Sequence, residues 1–78
     1  MTNVPDRIRE FWKDIYILFD RNFLMDVSKQ ESWEQYWMDA CEIIKKYEEI
    51  PSIIDLLSVV AEMISKFAAE RKKHGTDQ

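Results

Sequence analysis

Apolar residues recur at intervals of three and four along three separate stretches of this chain. This pattern limits the folds that the chain can adopt more than any other feature of the sequence. An α-helix turns by about 100° per residue, so side chains at these intervals share one face. The 78 residues include only one Gly and two Pro, the residues that most often break helices. This pattern argues against a β-sandwich or a nucleotide-binding α/β fold. It predicts an all-α protein, a three-helix bundle.

The first helix is predicted over residues 5–24. Pro5 suits an opening turn, and Asp6 is favourable at the positive end of a helix. The apolar residues cover an arc of roughly 140° on the helical wheel. They are Ile8, Phe11, Trp12, Ile15, Tyr16, Phe19 and Phe23.

The second helix is predicted over residues 29–49. Ser28 and Ser32 each begin a capping-box pattern, with Glu or Gln three positions later, so the start lies in this region. The helix should end before Pro51, because proline disfavours helical geometry in the residue that precedes it. Its apolar stripe comprises Trp33, Tyr36, Trp37, Ala40, Cys41, Ile43, Ile44 and Tyr47.

The third helix is predicted over residues 52–73, with Ser52 as its cap and Gly75 as the stop signal. The link from the second helix is short, so these two helices should pack as an antiparallel hairpin. The chain is expected to form one domain, 1–78, with fraying at residues 1–4 and 75–78.

The third helix carries an apolar arc of roughly 220°, whereas a surface helix of a monomer needs little more than ~100°. One explanation is that this helix lies between the other two. The other is that its flank packs against a second copy, since chains below roughly 70–80 residues often gain stability by oligomerising and symmetric dimers are common. We expect a homodimer through this helix. The proposed interface residues are Leu56, Val59, Met63 and Phe67.

Catalytic constellations are not evident in the sequence. His74 is the sole histidine, so one chain offers neither a histidine metal cluster nor a Ser-His-Asp relay. Cys41 is expected to be a small buried thiol, and a single glycine cannot build a phosphate loop. Helical acids such as Asp14 fall outside the apolar arcs and are expected on the solvated surface. We therefore expect no enzyme activity, no metal and no cofactor.

The charge balance and the lengths of the apolar runs bear on partners and location. Fifteen Asp and Glu against eleven Lys and Arg give a net charge of −4, which disfavours nucleic-acid binding. The longest apolar run, residues 15–19, is far shorter than the ~20 residues that a bilayer requires. No membrane association is expected, and a single cysteine favours the reducing cytoplasm.

Aromatic side chains are the remaining binding candidates. Trp12, Tyr16, Trp33 and Trp37 have flat faces and polar edges that suit a ligand pocket or a protein interface. Arg9, together with Arg7 and Arg21, could contact a small anionic ligand. The alternative interpretation is that these aromatic residues form an ordinary core. Both remain open at the level of sequence.

The placement of aromatic residues also resembles that in a known group of proteins. The segments concerned are Phe11-Trp12-Lys13-Asp14-Ile15-Tyr16, Tyr36-Trp37 and Lys45-Lys46-Tyr47. Across residues 8–68 the chain resembles small helical proteins of bacterial phages and mobile elements. The resemblance implies a stoichiometric inhibitor or a sponge rather than a catalyst.

The leading hypothesis is a non-enzymatic protein-interaction module, such as a phage-type inhibitor of a host defence protein. One alternative is an oligomeric sponge that sequesters an anionic metabolite or nucleotide. Another is a structural subunit of a larger assembly. The expected partners are a second copy, an unidentified protein and, in the sponge alternative, a small anion.

Overall fold

A computed structural model describes residues 3–75, with side chains through Lys73. It contains three helices, α1 (Asp6–Asn22), α2 (Gln30–Lys46) and α3 (Ile53–Gly75). The described residues form no strand. The prediction of an all-α three-helix bundle is therefore confirmed. The fraying expected at residues 1, 2 and 76–78 lies outside the described residues, whereas Gly75, predicted to stop the third helix and to fray, is still helical.

α2 begins at Gln30, within the predicted region, but the predicted serine caps are wrong. Lys29 occupies the N-cap position, and its side chain makes no capping hydrogen bond. The Ser28 hydroxyl and backbone N–H instead donate to the Asp26 carboxylate, at 2.6 and 3.0 Å. This local turn competes with capping, so neither the Ser28 nor the Ser32 capping box forms.

α2 ends at Lys46, three residues before the predicted end, and Tyr47 is its C-cap. The chain then turns through residues 47–52. Ser52 has a left-handed backbone with φ of 60°, and its carbonyl accepts a hydrogen bond from the Leu56 N–H. The break predicted before Pro51 is present, but a tight turn begins earlier because Tyr47 leaves helical geometry.

The core lies between all three helices. The Tyr36 hydroxyl crosses it and donates to the Leu57 carbonyl at 2.6 Å, which joins α2 to α3. The buried apolar side chains are Phe11, Ile15, Leu18, Tyr36, Ala40, Tyr47, Ile53, Leu57, Val60 and Ile64.

The helices run alternately up and down. Arg7 lies beside Glu49 near one end of the bundle and Arg21 beside Asp39 further along, so α1 and α2 are antiparallel. The short turn after α2 makes α3 antiparallel to α2 and parallel to α1. In the described part of the chain, no helix combines the length and apolarity needed to cross a membrane.

Candidate functional site

An aromatic contact defines where α3 meets α1. The Phe67 ring of α3 packs against the rings of Phe19 and Phe23 in α1, with centroids 6.2 and 5.6 Å apart. Trp12 lies two helical turns before Phe19, and Tyr16 lies two turns before Phe23. Both therefore lie on the same side of α1 as these two rings. Leu56, Val59 and Met63 likewise share the Phe67 side of α3. We call the following residues the seam face: Trp12, Tyr16, Leu56, Val59, Met63 and Phe67.

The seam face is largely open to solvent. The exposed fractions are 53% for Trp12, 65% for Tyr16, 48% for Val59, 43% for Met63 and 44% for Phe67, and Leu56 is half-buried. Since an aromatic side chain carries about 150–250 Å², these fractions amount to on the order of 500 Å² of exposed surface. The largest apolar patch of a monomer is typically about 300–600 Å² and is often functional, so the seam face is the leading candidate for an interaction surface.

The outer edge of this face is charged on both helices. On α1, helical rotation places Arg9, Lys13 and Asp20 beyond Tyr16, and Arg9 forms an ion pair with Asp6. On α3, the corresponding positions are occupied by Asp55, Glu62 and Lys66, and the last two pair at 3.6 Å. An apolar centre with a charged border is the usual composition of a protein-binding surface.

Trp33 and Trp37 belong to a different part of the molecule. Both are half-buried on α2 and pack against the core. The Trp33 indole N–H donates to the Val27 carbonyl at 2.9 Å, and the Trp37 ring packs edge-on against Tyr36 at 5.0 Å. They lie on the side of α2 away from Asp39, which contacts α1. The five predicted contact residues therefore do not converge: Trp12, Tyr16 and Arg9 are at the seam face, and the two α2 indoles are not.

A polar cluster joins α1 to the end of α2. The Asp14 carboxylate accepts a hydrogen bond from the Tyr47 hydroxyl at 2.5 Å and one from Lys46 Nζ at 3.1 Å. The bond from Tyr47 is the main cause that lowers the pKa of Asp14, and burial raises the pKa of Tyr47. The expectation that Asp14 lies on the solvated surface is wrong. It is half-buried because Tyr47 leaves the helix and brings its phenol over α1.

The arginines considered for anion binding all face carboxylates. Arg7 Nε donates to Glu49 Oε2 at 2.7 Å, and its guanidinium lies 4.4 Å above the Tyr47 ring. Arg9 pairs with Asp6. Arg21 lies 3.9 Å from Asp39. An anionic ligand would have to displace these carboxylates, so the geometry gives the anion-binding alternative little support.

A cleft of about 270 Å³ lies between α1 and α2. Its charged lining consists of three carboxylates and two cations, so its potential does not favour an anion. It is also open to solvent, unlike the enclosed pockets that bury most of a ligand. The lining residues are Asp14, Ile17, Leu18, Arg21, Asp39, Glu42, Ile43 and Lys46.

Cys41 is exposed, so the expectation of a buried thiol is wrong. Helical rotation sets it about 140° from the buried Tyr36, and the indole of Trp37 occupies the edge of the core between them. Among the described residues, no group of three or more His, Cys, Asp or Glu side chains is arranged to hold a metal ion. The side chain of His74 lies outside the described part.

Comparisons with protein-family models, with curated proteins and with solved structures give no match for this chain. The chain's own surface therefore carries the functional inference. The sequence patterns indicated the α3 flank and the α1 aromatics as separate candidates, and the contact of Phe67 with Phe19 and Phe23 sets them on neighbouring edges of the two helices. The sequence does contain one feature common to both sets: each lies at an edge of the apolar arc of its helix.

Proposed function

We propose that this chain is a non-enzymatic protein-interaction module that binds through the seam face. The observation that carries the proposal is the set of exposed apolar side chains along the edges of α1 and α3 that meet at Phe67, with Trp12 and Tyr16 the most exposed of them. Tyr and Trp are enriched where protein interfaces derive most of their affinity. A charged border surrounds this centre, as in many interfaces.

The resemblance to small helical phage proteins suggests the biological role within this proposal. Such a module would act as a stoichiometric inhibitor of a host defence protein. A single cysteine, Cys41, is in keeping with action in the cytoplasm. The arginines that a small-anion sponge would need are already beside carboxylates, so the sponge has less support than protein binding.

The test is affinity capture from a bacterial lysate with matched baits. Tyr16→Lys and Met63→Glu place charge on the seam face, at positions exposed enough for the fold to persist. Met38→Glu is the control, because Met38 is 64% exposed on α2, outside the seam face. Circular dichroism should give the same helical signal for all baits.

We expect a protein that binds in a fixed ratio to the wild type and to Met38→Glu. Its capture should fall at least ~10-fold with either seam-face variant, since a charge buried at an interface costs more than 1.4 kcal/mol. Equal capture by all four baits would contradict the proposed function. A small anion that copurifies in native mass spectrometry, and is lost from Arg7→Ala, would support the sponge instead.

A further inference from the structure

We propose that the seam face of the free protein binds a second copy of this chain, in a twofold dimer that places α1 of each subunit on α3 of the other. The inference rests on the proposed function, because it names the partner of the same face. Three properties of the face favour a second copy: its register, the order of charges along its two edges and its area.

The register follows from the aromatic contact between α1 and α3. Phe67 lies beside Phe19 and Phe23, and the two helices are parallel. Continued along both helices, this register sets Arg9 of α1 level with Asp55 of α3. The same register sets Asp20 level with Lys66.

The charges along the two edges are opposite at each level. Beyond Asp6, which pairs with Arg9, the α1 edge is basic and then acidic, with Arg9 and Lys13 followed by Asp20. The α3 edge is acidic and then basic as far as Lys66, with Asp55 and Glu62 before it, and Glu70 follows on the Met63 side of the helix. Each edge is therefore complementary to the other edge of an identical chain.

A twofold axis parallel to the helices makes use of this complementarity. Such an axis preserves levels, so Arg9, which pairs with Asp6 within its own chain, also faces the partner subunit's Asp55, and Asp20 faces the partner subunit's Lys66, which pairs with Glu62 in its own chain. The other symmetric choice places each helix against its own copy in antiparallel orientation. That choice also pairs Arg9 with the partner subunit's Asp20, but it brings Glu62 towards the partner subunit's Glu62 near the axis, where like charges repel. The first arrangement is the one we propose.

The area also suits a dimer. The seam face exposes on the order of 500 Å², so two copies that covered it fully would bury about 1,000 Å², the lower limit for a specific interface. A symmetric dimer uses the same patch on both subunits. Each Trp12 and Tyr16 would then lose the solvent exposure that they have in the single chain.

Sedimentation velocity of the purified chain from about 1 to 200 µM tests the dimer itself. We expect a dimer for the wild type and for Met38→Glu, and monomers or a dissociation constant raised at least ~10-fold for Met63→Glu. Tyr16→Lys on α1 should have the same effect, which guards against a folding defect in one variant. A wild-type monomer throughout, or equal dissociation by Met38→Glu, would overturn the inference.

A charge exchange tests the arrangement. Asp20→Lys and Lys66→Asp should each raise the dissociation constant about 10-fold, because each creates two repulsive pairs per dimer. The double variant restores both pairs and keeps the wild-type net charge. Its dissociation constant should return to within about threefold of the wild type. A double variant weaker than either single variant would overturn the arrangement, because an antiparallel dimer pairs Asp20 with the partner subunit's Arg9.

The outcomes separate this inference from the proposed function. A monomer that still captures another protein through the seam face overturns the second copy and leaves the proposed function intact. A monomer whose capture is insensitive to Tyr16→Lys and Met63→Glu contradicts both.

Discussion

Two buried tyrosines hold the helices together through different acceptors. Tyr36 and Tyr47 have no exposed surface. The Tyr36 hydroxyl donates to a neutral acceptor, the Leu57 carbonyl, whereas the Tyr47 hydroxyl donates to the Asp14 carboxylate. Burial raises the pKa of Tyr36 to about 12 and also raises the pKa of Tyr47. The free energy of unfolding should therefore fall at alkaline pH, where the two phenol groups lose their protons.

The first prediction concerns this coupling at Tyr36. Its pKa is about 10 in the unfolded chain and about 12 in the folded protein, so the folded state holds the proton more tightly. The stabilisation is complete below pH 10 and is lost as pH rises towards 12. Urea unfolding between pH 10 and 12 should show that the free energy of unfolding falls less with pH for Tyr36→Phe than for the wild type. The difference should be on the order of 2 kcal/mol. Parallel curves would contradict the prediction.

The second prediction concerns the hydrogen bond from Tyr47 to Asp14. Tyr47→Phe removes a donor to a charged acceptor and should lower the free energy of unfolding by about 1–2 kcal/mol. The pKa of Asp14 should rise, because the bond from Tyr47 is the main cause of its low value. NMR titration of the carboxyl group measures that rise. Tyr16→Phe is the control, compared at a protein concentration low enough for single chains to predominate; it should cost less than ~0.5 kcal/mol, since its ring is exposed in the single chain. Equal costs would be inconsistent with this role for Tyr47.

At the scale of elements, α2 begins without a side-chain cap. Lys29 has extended backbone angles, φ −103° and ψ 132°, which suit an N-cap residue. Its long cationic side chain cannot accept a hydrogen bond from the first turn, and a cation is unfavourable at the positive end of a helix. Lysine is therefore an unfavourable residue at the N-cap of α2.

The third prediction follows from that mismatch. Lys29→Asp should raise the free energy of unfolding by about 0.5–1 kcal/mol, because the carboxylate can accept from the first-turn N–H groups. Lys29→Ala removes the cation without supplying an acceptor, and it should gain less than half as much. Urea unfolding at pH 7 and one fixed protein concentration compares the two. A gain as large for Lys29→Ala would show that capping is not the cause.

At the scale of the whole molecule, the bundle has a polar side and an apolar side. The polar side joins α1 to α2 through the Arg7–Glu49 and Lys46–Asp14 ion pairs. The apolar side is the seam face, where α3 and α1 meet through Phe67 and leave apolar surface in water. A second copy would cover that surface and stabilise each chain through association.

The fourth prediction links association to stability. A dimer that unfolds to separate chains has an unfolding midpoint that rises with protein concentration. Thermal melts at about 5 and 200 µM should therefore differ by several degrees for the wild type and for Met38→Glu. Met63→Glu should give nearly the same midpoint at both concentrations. A wild-type midpoint independent of concentration would argue against coupling between folding and association.

The number and type of helices followed from the amino-acid order, because helical rotation is a local property. Intervals of three and four, the scarcity of glycine and the position of Pro51 act within a few residues of themselves. The same patterns also identified individual members of the seam face, among them Tyr16, Met63 and Phe67, since each lies at an edge of an apolar arc.

Which edge of each arc became buried was decided only by the packing of the helices. The same local pattern left Trp12 exposed and Trp37 half-buried, and it did not show that Asp14 would receive the Tyr47 hydroxyl. These outcomes join residues on different helices. No local rule gives the distance between two residues about thirty positions apart in the sequence. That distance depends on the orientation that the turns give to the helices and on how side chains pack between them.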